Sequence, residues 1–159
     1  MQIIKKIFLI FLVLSFASSS LAKDPSEFIF EITKSASDIL KEGIDTEEKA
    51  TKLIIIAENS VDIDGIGLYS LGKHRKSISK EQLTKYKTIF RKYFLKSFSS
   101  RLAEYTNPEI DVFAKEVLNK NYTIVKSLLI GTSERPEVKI DWRVYTKNPD
   151  NPLIRDLII

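Results

Sequence analysis

The feature that most constrains this chain is a long aromatic stripe near its centre. Between Leu83 and Tyr105, apolar residues recur at steps of three and four, which places them along one side of an α-helix. Ser79 and Gln82 have the spacing of a capping box, so we expect the helix to begin at Lys80. A helix over 80–105 would be about 39 Å long and would need a large apolar partner. The stripe consists of Leu83, Tyr86, Phe90, Tyr93, Phe94, Phe98, Leu102 and Tyr105.

Two interpretations of the stripe remain open on the residues alone. It can pack as ordinary hydrophobic core, or it can form the wall of a cavity for an apolar ligand. The pattern does not separate the two, because core and cavity wall are both apolar. A short amphipathic helix over 63–71 precedes the stripe, and we expect Gly72 to end it in a left-handed conformation.

The first 22 residues have the three parts of a cleaved secretory signal peptide. Lys5 and Lys6 precede an apolar run over 7–17, and small residues then lead to Ala22. A transmembrane helix would need roughly 20 apolar residues, about twice the length of this run. We therefore expect cleavage after Ala22, with 23–159 as a single domain. No cysteine follows, so we expect no lipid anchor of the lipoprotein type.

The remaining patterns predict helices first and strands afterwards. Asp24 and Asp45 have the positions of helix N-caps, and Gly43 has the position of the C′ glycine after the first helix. The apolar centre of the second helix predicts burial on several sides. Helices followed by strands indicate an α+β fold, with N-terminal helices on one face of a C-terminal antiparallel β-meander of about four strands. The predicted elements are helices over 23–42 and 45–59, and strands starting at 110, over 122–130, over 138–145 and starting at 153.

The residue inventory offers little for catalysis. The sequence has no cysteine and one histidine, His74, which excludes a His/Cys metal site and a cysteine nucleophile. Without its first 22 residues the chain has 23 basic and 21 acidic residues, and their interleaving does not indicate nucleic-acid binding. Asp62 is explained as a helix cap. Lys73, Arg75 and Lys76 form either a solvated loop or a site for lipid head groups and membrane phosphate.

The order of these features resembles the MlaC family, the periplasmic phospholipid-binding components of the Mla (toluene-tolerance) transport system. The resemblance combines a secretory signal, an acidic residue before Leu-Gly-Lys, a Ser-x-x-Gln start to an aromatic helix, and a meander with Val-x-Ile-Asp-Trp-Arg-Val. It covers essentially the whole chain after the signal. The matching residues are Asp62, Leu71, Gly72, Lys73, Ser79, Glu81, Gln82, Phe90, Tyr105, Val138, Asp141, Trp142, Arg143, Val144 and Asp156.

The resemblance implies a function without catalysis. It implies a monomeric periplasmic shuttle that carries phospholipid between the outer and inner membranes of Gram-negative bacteria and so maintains outer-membrane lipid asymmetry. The implied partners are phospholipid, the inner-membrane Mla ABC transporter complex, an outer-membrane lipoprotein–porin complex and, transiently, the membrane. No cofactor is implied besides the phospholipid cargo.

The chain departs from the family pattern at two places. His74 and Arg75 stand where relatives have an aromatic pair. Relatives also continue beyond the position of Ile159, so we expect the given sequence to be C-terminally truncated.

A shuttle for a two-tailed lipid needs a dry apolar cavity. We expect the stripe and the one-sided strand around Trp142 to form it, with the basic residues Lys73, Arg75 and Lys76 near its mouth. The predicted lining residues are Ile66, Leu83, Phe90, Phe94, Tyr105, Ile124, Leu128, Ile140, Trp142 and Val144.

Two other classes of function fit the same patterns. A periplasmic adaptor would have a solid core and no ligand. A cone-shaped α+β isomerase or dehydratase would need a buried acid/base group, which Asp111 or Asp141 would have to supply. Both alternate with apolar residues and so are expected to point outward. The presence of an interior cavity separates the first class from the shuttle.

We predict that the mature protein begins at Lys23, because the apolar run is too short to remain as a membrane anchor. N-terminal sequencing of protein from the periplasmic fraction should give Lys23-Asp24-Pro25. Recovery of membrane-bound material that begins at Met1 would contradict the prediction.

Overall fold

The computed structural model describes residues 23–159, so the predicted signal peptide lies outside the described residues. Helices come first and an antiparallel sheet second, and the fold is α+β as the sequence predicts. The elements are α1 (Pro25–Lys41), α2 (Thr46–Ser60), α3 (Ile63–Ser70), a 3₁₀ helix (Gly72–Lys76), α4 (Lys80–Ala103), β1 (Ile110–Asn119), β2 (Tyr122–Leu129), β3 (Val138–Tyr145) and β4 (Leu153–Ile158).

The four strands form a meander in the order β1-β2-β3-β4, and every neighbouring pair is antiparallel. Residues that pair directly across two strands lie on the same face of a sheet. Val125 pairs with Trp142, and Val144 pairs with Ile154, and all four are buried in the main core. This inner face of the sheet therefore packs against the helices.

Local capping chemistry sets the helix starts. The capping box at α4 is present, with Ser79 Oγ accepting from the Gln82 N–H at 3.1 Å and Gln82 Oε1 accepting from the Ser79 N–H at 2.9 Å. Gly72 has a φ of +52°, the left-handed conformation predicted for it. Gly43 occupies the predicted C′ position, because Glu42 is the C-cap of α1, and it does so without a positive φ since Glu42 is extended.

The aromatic rings of α4 stack along the helix. Consecutive rings of Tyr86, Phe90, Phe94 and Phe98 have centroid distances of 5.6, 6.1 and 5.6 Å. The Tyr86 hydroxyl donates to the Gly67 carbonyl at 3.0 Å and ties α4 to α3. A side chain at Gly67 would approach the Phe90 ring to 2.9 Å, so α3 lies this close to α4 only because the residue is glycine.

The most buried positions of α4 lie beside the predicted stripe rather than on it. They are Leu95, Ser99 and Ala103, whereas Tyr93, a member of the stripe, is 69% exposed. Small side chains at 99 and 103 let α2 approach α4 closely. The centre of α2 is buried on several sides as predicted, through buried Leu53 and Ala57 and half-buried Ile54 and Ile56, and only the side that carries Ile55 is exposed.

A β-bulge changes the faces of β1. The register shifts between Val112 and Ala114, so Ala114 pairs with Lys126 on the outer face and is exposed. Lys115 then lies on the helix side, where its ammonium forms a salt bridge with the N-cap carboxylate of Asp24. The alternation predicted for β1 is therefore correct only up to Val112.

An ion pair fixes the sheet to α3. The Arg155 Nε donates to Asp62 Oδ2 at 2.7 Å, and Asp62 Oδ1 accepts from the Gly65 N–H at 2.9 Å as the N-cap of α3. The Arg155 guanidinium also lies 3.8 Å from the centre of the Tyr145 ring and donates to the Tyr122 hydroxyl. Burial lowers the pKa of Arg155, but its hydrogen bonds to Asp62 and Tyr122 outweigh burial and hold the pKa above its usual value.

We predict that Asp62→Ala lowers the free energy of unfolding by about 2–3 kcal/mol, because it removes the cap of α3 and leaves a partly buried guanidinium unpaired. The matched control is Asp64→Ala, two residues away, which breaks only the more exposed contacts to Lys87 and Arg91. Such surface pairs contribute about 1 kcal/mol or less. Urea unfolding of the two variants measures the difference, and equal losses would contradict the prediction.

Candidate functional site

An apolar cavity of about 290 Å³ lies between the inner face of the sheet and the helices. Its walls come from one side of α1, the C-terminal half of α2, the end of α4 and the inner faces of the strands. The residues that line it are Ile32, Thr33, Ala36, Ser37, Leu40, Leu53, Ile56, Ala57, Ser60, Val61, Phe98, Arg101, Leu102, Tyr105, Pro108, Ile110, Leu129, Ile140, Trp142, Ile154, Leu157 and Ile159.

The serine and threonine hydroxyls that line the cavity already donate their protons to backbone carbonyls. Thr33 Oγ1 donates to the Ile29 carbonyl at 2.8 Å, Ser37 Oγ to the Pro108 carbonyl at 2.7 Å, and Ser60 Oγ to the Ile56 carbonyl at 2.7 Å. Because these protons are already engaged, the hydroxyls gain little from an added water. An apolar interior of this kind favours an apolar guest over water.

A hydrogen-bonded pair seats the tryptophan in the sheet wall. The indole Nε1 of Trp142 donates to Ser127 Oγ at 2.8 Å, and that hydroxyl donates to the Ile140 carbonyl at 3.1 Å. Ser127 and Trp142 are both buried, so the pair leaves no indole N–H without a partner. The ring can therefore present an apolar surface to the cavity.

The mouth lies at the end of the sheet that carries the loop between β2 and β3. Of the lining residues, Arg101, Tyr105, Leu157 and Ile159 are exposed, which marks where the cavity opens. Arg101 is the one charged residue among the described lining residues. The cavity thus has an apolar interior and a cationic side chain at its rim.

The predicted lining residues occupy different parts of the fold. Tyr105, Ile140 and Trp142 line the cavity. Val144 is buried in the core on the same face of the sheet, and Leu83 is half-buried near the start of α4. Contact of any of them with a ligand remains a prediction. The predicted residues that pack against the main core, outside the cavity wall, are Ile66, Phe90 and Phe94.

Two predicted residues lie on the other face of the sheet. Ile124 pairs with Arg143, and Leu128 pairs with Lys139, so both face away from Trp142 and the helices. Ile124 and Leu128 therefore do not line the cavity, contrary to the prediction from the sequence. A shift of one residue along a strand exchanges its faces, and the inner positions of β2 belong to Thr123, Val125, Ser127 and Leu129.

The basic residues Lys73, Arg75 and Lys76 are exposed in the 3₁₀ helix before α4. The cavity mouth lies at the other end of α4, which is about 36 Å long. The structure therefore does not bring these residues to the mouth. Their contact with membrane phosphate remains a prediction for a separate surface.

Sequence reasoning missed the contribution of α1 and α2. Their cavity-facing positions include Thr33, Ala36 and Ser37 on α1, and Ala57 and Ser60 on α2. Small side chains facing each other across two helices leave space where larger ones would fill it. Their spacing of three and four residues, on the same faces as Leu40 and Leu53, is the signal that could have identified them.

The described residues contain little that points to catalysis. Asp111 is exposed on β1, Asp141 is half-buried on the outer face of β3, and neither lines the cavity. Within 23–159, no group of three His, Asp or Glu side chains is placed to hold a metal ion. No helix in this range is both long and apolar enough to cross a membrane.

Comparison with known proteins connects this fold to one family. The family described as "MlaC protein" matches residues 28–159 of the chain. A similar solved structure is the phospholipid-binding protein from Ralstonia solanacearum, determined in complex with a phospholipid. The two share 16% identity with a TM-score of 0.71, over 86% of this chain and 78% of that one. No curated protein matches the sequence.

We predict that enlarging a cavity residue is tolerated, whereas the same change in packed core is not. Ala36→Leu places its added methyl groups in empty space and should change the free energy of unfolding by less than about 1 kcal/mol. Ala103→Leu is the matched control, because Ala103 is buried against Leu40 and Leu53 outside the cavity wall. Overpacking there should cost about 1–3 kcal/mol.

Urea unfolding of protein refolded without any guest measures both variants. Equal destabilisation by the two substitutions would mean that the space beside Ala36 is packed as core.

Proposed function

The chain belongs to the MlaC family, and from this premise we propose that it binds one phospholipid by its acyl tails and carries it through the periplasm between the outer and inner membranes. The observation that carries the proposal is the apolar cavity between helices and sheet, open at one end. The phospholipid in the similar Ralstonia structure supports the same ligand class. The proposed role is binding and transport, without chemical change of the lipid.

The cavity addresses the main physical obstacle to lipid transfer. Each methylene exposed to water costs about 0.8 kcal/mol, so a free two-tailed lipid faces a barrier of tens of kcal/mol between membranes. We take the volume of a methylene to equal that of a water molecule, roughly 30 Å³. A cavity of 290 Å³ then has room for on the order of ten methylenes. Sheltering them removes about 8 kcal/mol from that barrier.

A complete phospholipid needs more room than this. A second pocket of about 350 Å³ lies between α1, α2 and the turn before β4. It shares Ile32, Ile56 and Ser60 with the first, so these side chains form the partition between the two spaces. We therefore propose that loading displaces Ile32 and Ile56 and separates α1 from α2, which extends the apolar space toward the second pocket, whose outer part is polar and carries Lys23 and Glu31.

Periplasmic location and the membrane partners also belong to the proposal. The N-terminal segment has the pattern of a secretory signal, which supports the periplasmic location. Membership of the family supports two membrane partners. These are the inner-membrane ABC transporter complex and the outer-membrane lipoprotein–porin complex. Lys73, Arg75 and Lys76 are proposed to touch anionic membrane surfaces during exchange, at a surface remote from the cavity mouth.

We predict that freshly purified protein contains phospholipid at about one molecule per chain, because the periplasm offers the ligand and the cavity retains it. Mass spectrometry under native conditions gives the stoichiometry, and extraction identifies the intact lipid. Ala36→Phe should lower the occupancy severalfold by filling the cavity, with the fold retained.

The matched control is Lys34→Phe, which adds the same ring to the solvent side of α1, where Lys34 pairs with Asp38. It should leave occupancy unchanged. Folded, monodisperse wild-type protein without phospholipid would overturn the proposal and favour a ligand-free adaptor, whereas release of free fatty acid from added lipid would favour an enzyme.

A further inference from the structure

We propose that two arginines at the cavity mouth, Arg101 and Arg135, form a recognition site for the phosphate group of the bound lipid. The inference rests on the proposed function and adds to it a basis for selecting phospholipids over neutral lipids with the same tails. Two observations support it: Arg101 lines the cavity near its mouth, and the Arg135 guanidinium stacks on Tyr105, another lining residue at the same rim.

Arg101 is placed where a head group would emerge. It lies in the last turn of α4, is exposed, and belongs to the cavity lining. A basic residue at a helix C-terminus interacts favourably with the helix dipole, and this explains its place along the helix. The helix dipole does not explain why Arg101 lies on the face of α4 that lines the cavity.

Arg135 reaches the same rim from the sheet. It belongs to the loop between β2 and β3, and its guanidinium carbon lies 4.7 Å from the centre of the Tyr105 ring. Tyr105 itself lines the cavity. The stacking holds the guanidinium beside the mouth with its N–H groups available, because a ring face occupies none of them.

Neither arginine is neutralised by the protein. Glu104 neighbours Arg101 in sequence, and Glu134 and Glu137 neighbour Arg135, yet no carboxylate of residues 23–159 lies within salt-bridge distance of either guanidinium. Some other surface cations, such as Lys73, Arg75 and Lys76, likewise have no carboxylate partner among residues 23–159, so position at the cavity rim is what distinguishes the two arginines.

The chemistry of these groups selects phosphate. Guanidinium groups bind phosphate oxygens through paired, charge-assisted hydrogen bonds, which are stronger than hydrogen bonds between neutral groups. The hydroxyls deeper in the cavity already donate to backbone carbonyls and offer no competing anchor. A lipid therefore enters with its tails inside and its phosphate at the rim, whereas a lipid without phosphate leaves both guanidinium groups hydrated and gains no ionic contact from them.

The test compares two lipids that differ only in the head group. Delipidated mature protein is incubated with vesicles that contain equal amounts of dioleoyl phosphatidylglycerol and dioleoylglycerol, and bound lipid is quantified by mass spectrometry. Wild-type protein should favour the phospholipid severalfold, since each exposed ion pair between a guanidinium and the phosphate contributes up to about 1 kcal/mol. Arg101→Gln/Arg135→Gln should bind the two lipids about equally.

The matched control is Lys73→Gln/Lys76→Gln, which removes the same charge at the far end of α4 and should retain the preference. An unchanged preference in the arginine variant, or an equal loss in the lysine variant, would overturn the phosphate site. Wild-type protein that takes up both lipids without preference would overturn it as well, while leaving tail binding intact. Uptake of neither lipid would overturn the proposed function together with this inference.

Discussion

The free energy of an empty cavity is the constraint on which the rest of this structure depends. At about 24 cal/mol for each Å³, a void of 290 Å³ costs up to about 7 kcal/mol, comparable to the total stability of a small domain. The sequence contains no cysteine, so no disulfide offsets this cost. The contacts around the cavity must therefore supply the stability that the empty space removes. An apolar guest that fills the cavity stabilises the folded state by mass action. Stability and ligand binding are linked through the same wall residues.

The contacts that hold the helices to one another and to the sheet lie around the cavity rather than across it. At the far end of the sheet, Asp62 and Arg155 connect the cap of α3 to β4, and the rings of Tyr122 and Tyr145 cover the guanidinium. On the helical side, small residues let α2 approach α4, while the stacked aromatic rings stiffen α4 beside that contact. Between α1 and α2, by contrast, Ile32, Ile56 and Ser60 line both the cavity and a neighbouring open pocket. Loading would widen the fold most easily at this partition.

Much of the fold could be predicted from local chemistry, and much of the site could not. Caps at Asp24, Asp45 and Ser79 define helix starts whatever the tertiary context, and strict alternation identifies β3. Strand β2 has apolar residues on both faces, so its pattern did not reveal that Ile124 and Leu128 point away from the cavity. The bulge after Val112 left no clear signal in the sequence. The cavity exists because small side chains on facing helices leave space unfilled, which no single helix pattern shows. The position of Arg101 at the cavity mouth depends on how α4 packs against the sheet, which the sequence does not show.

The central claim is that acyl tails occupy the space between α1, α2 and the inner face of the sheet. The most direct measurement is photo-crosslinking with a phosphatidylglycerol that carries a diazirine at the end of one acyl chain, followed by peptide mapping. The account predicts adducts on peptides that contain 32–40 and 53–61, the segments that line the cavity from α1 and α2. Adducts confined to 69–80 or to the outer face of the sheet would contradict it.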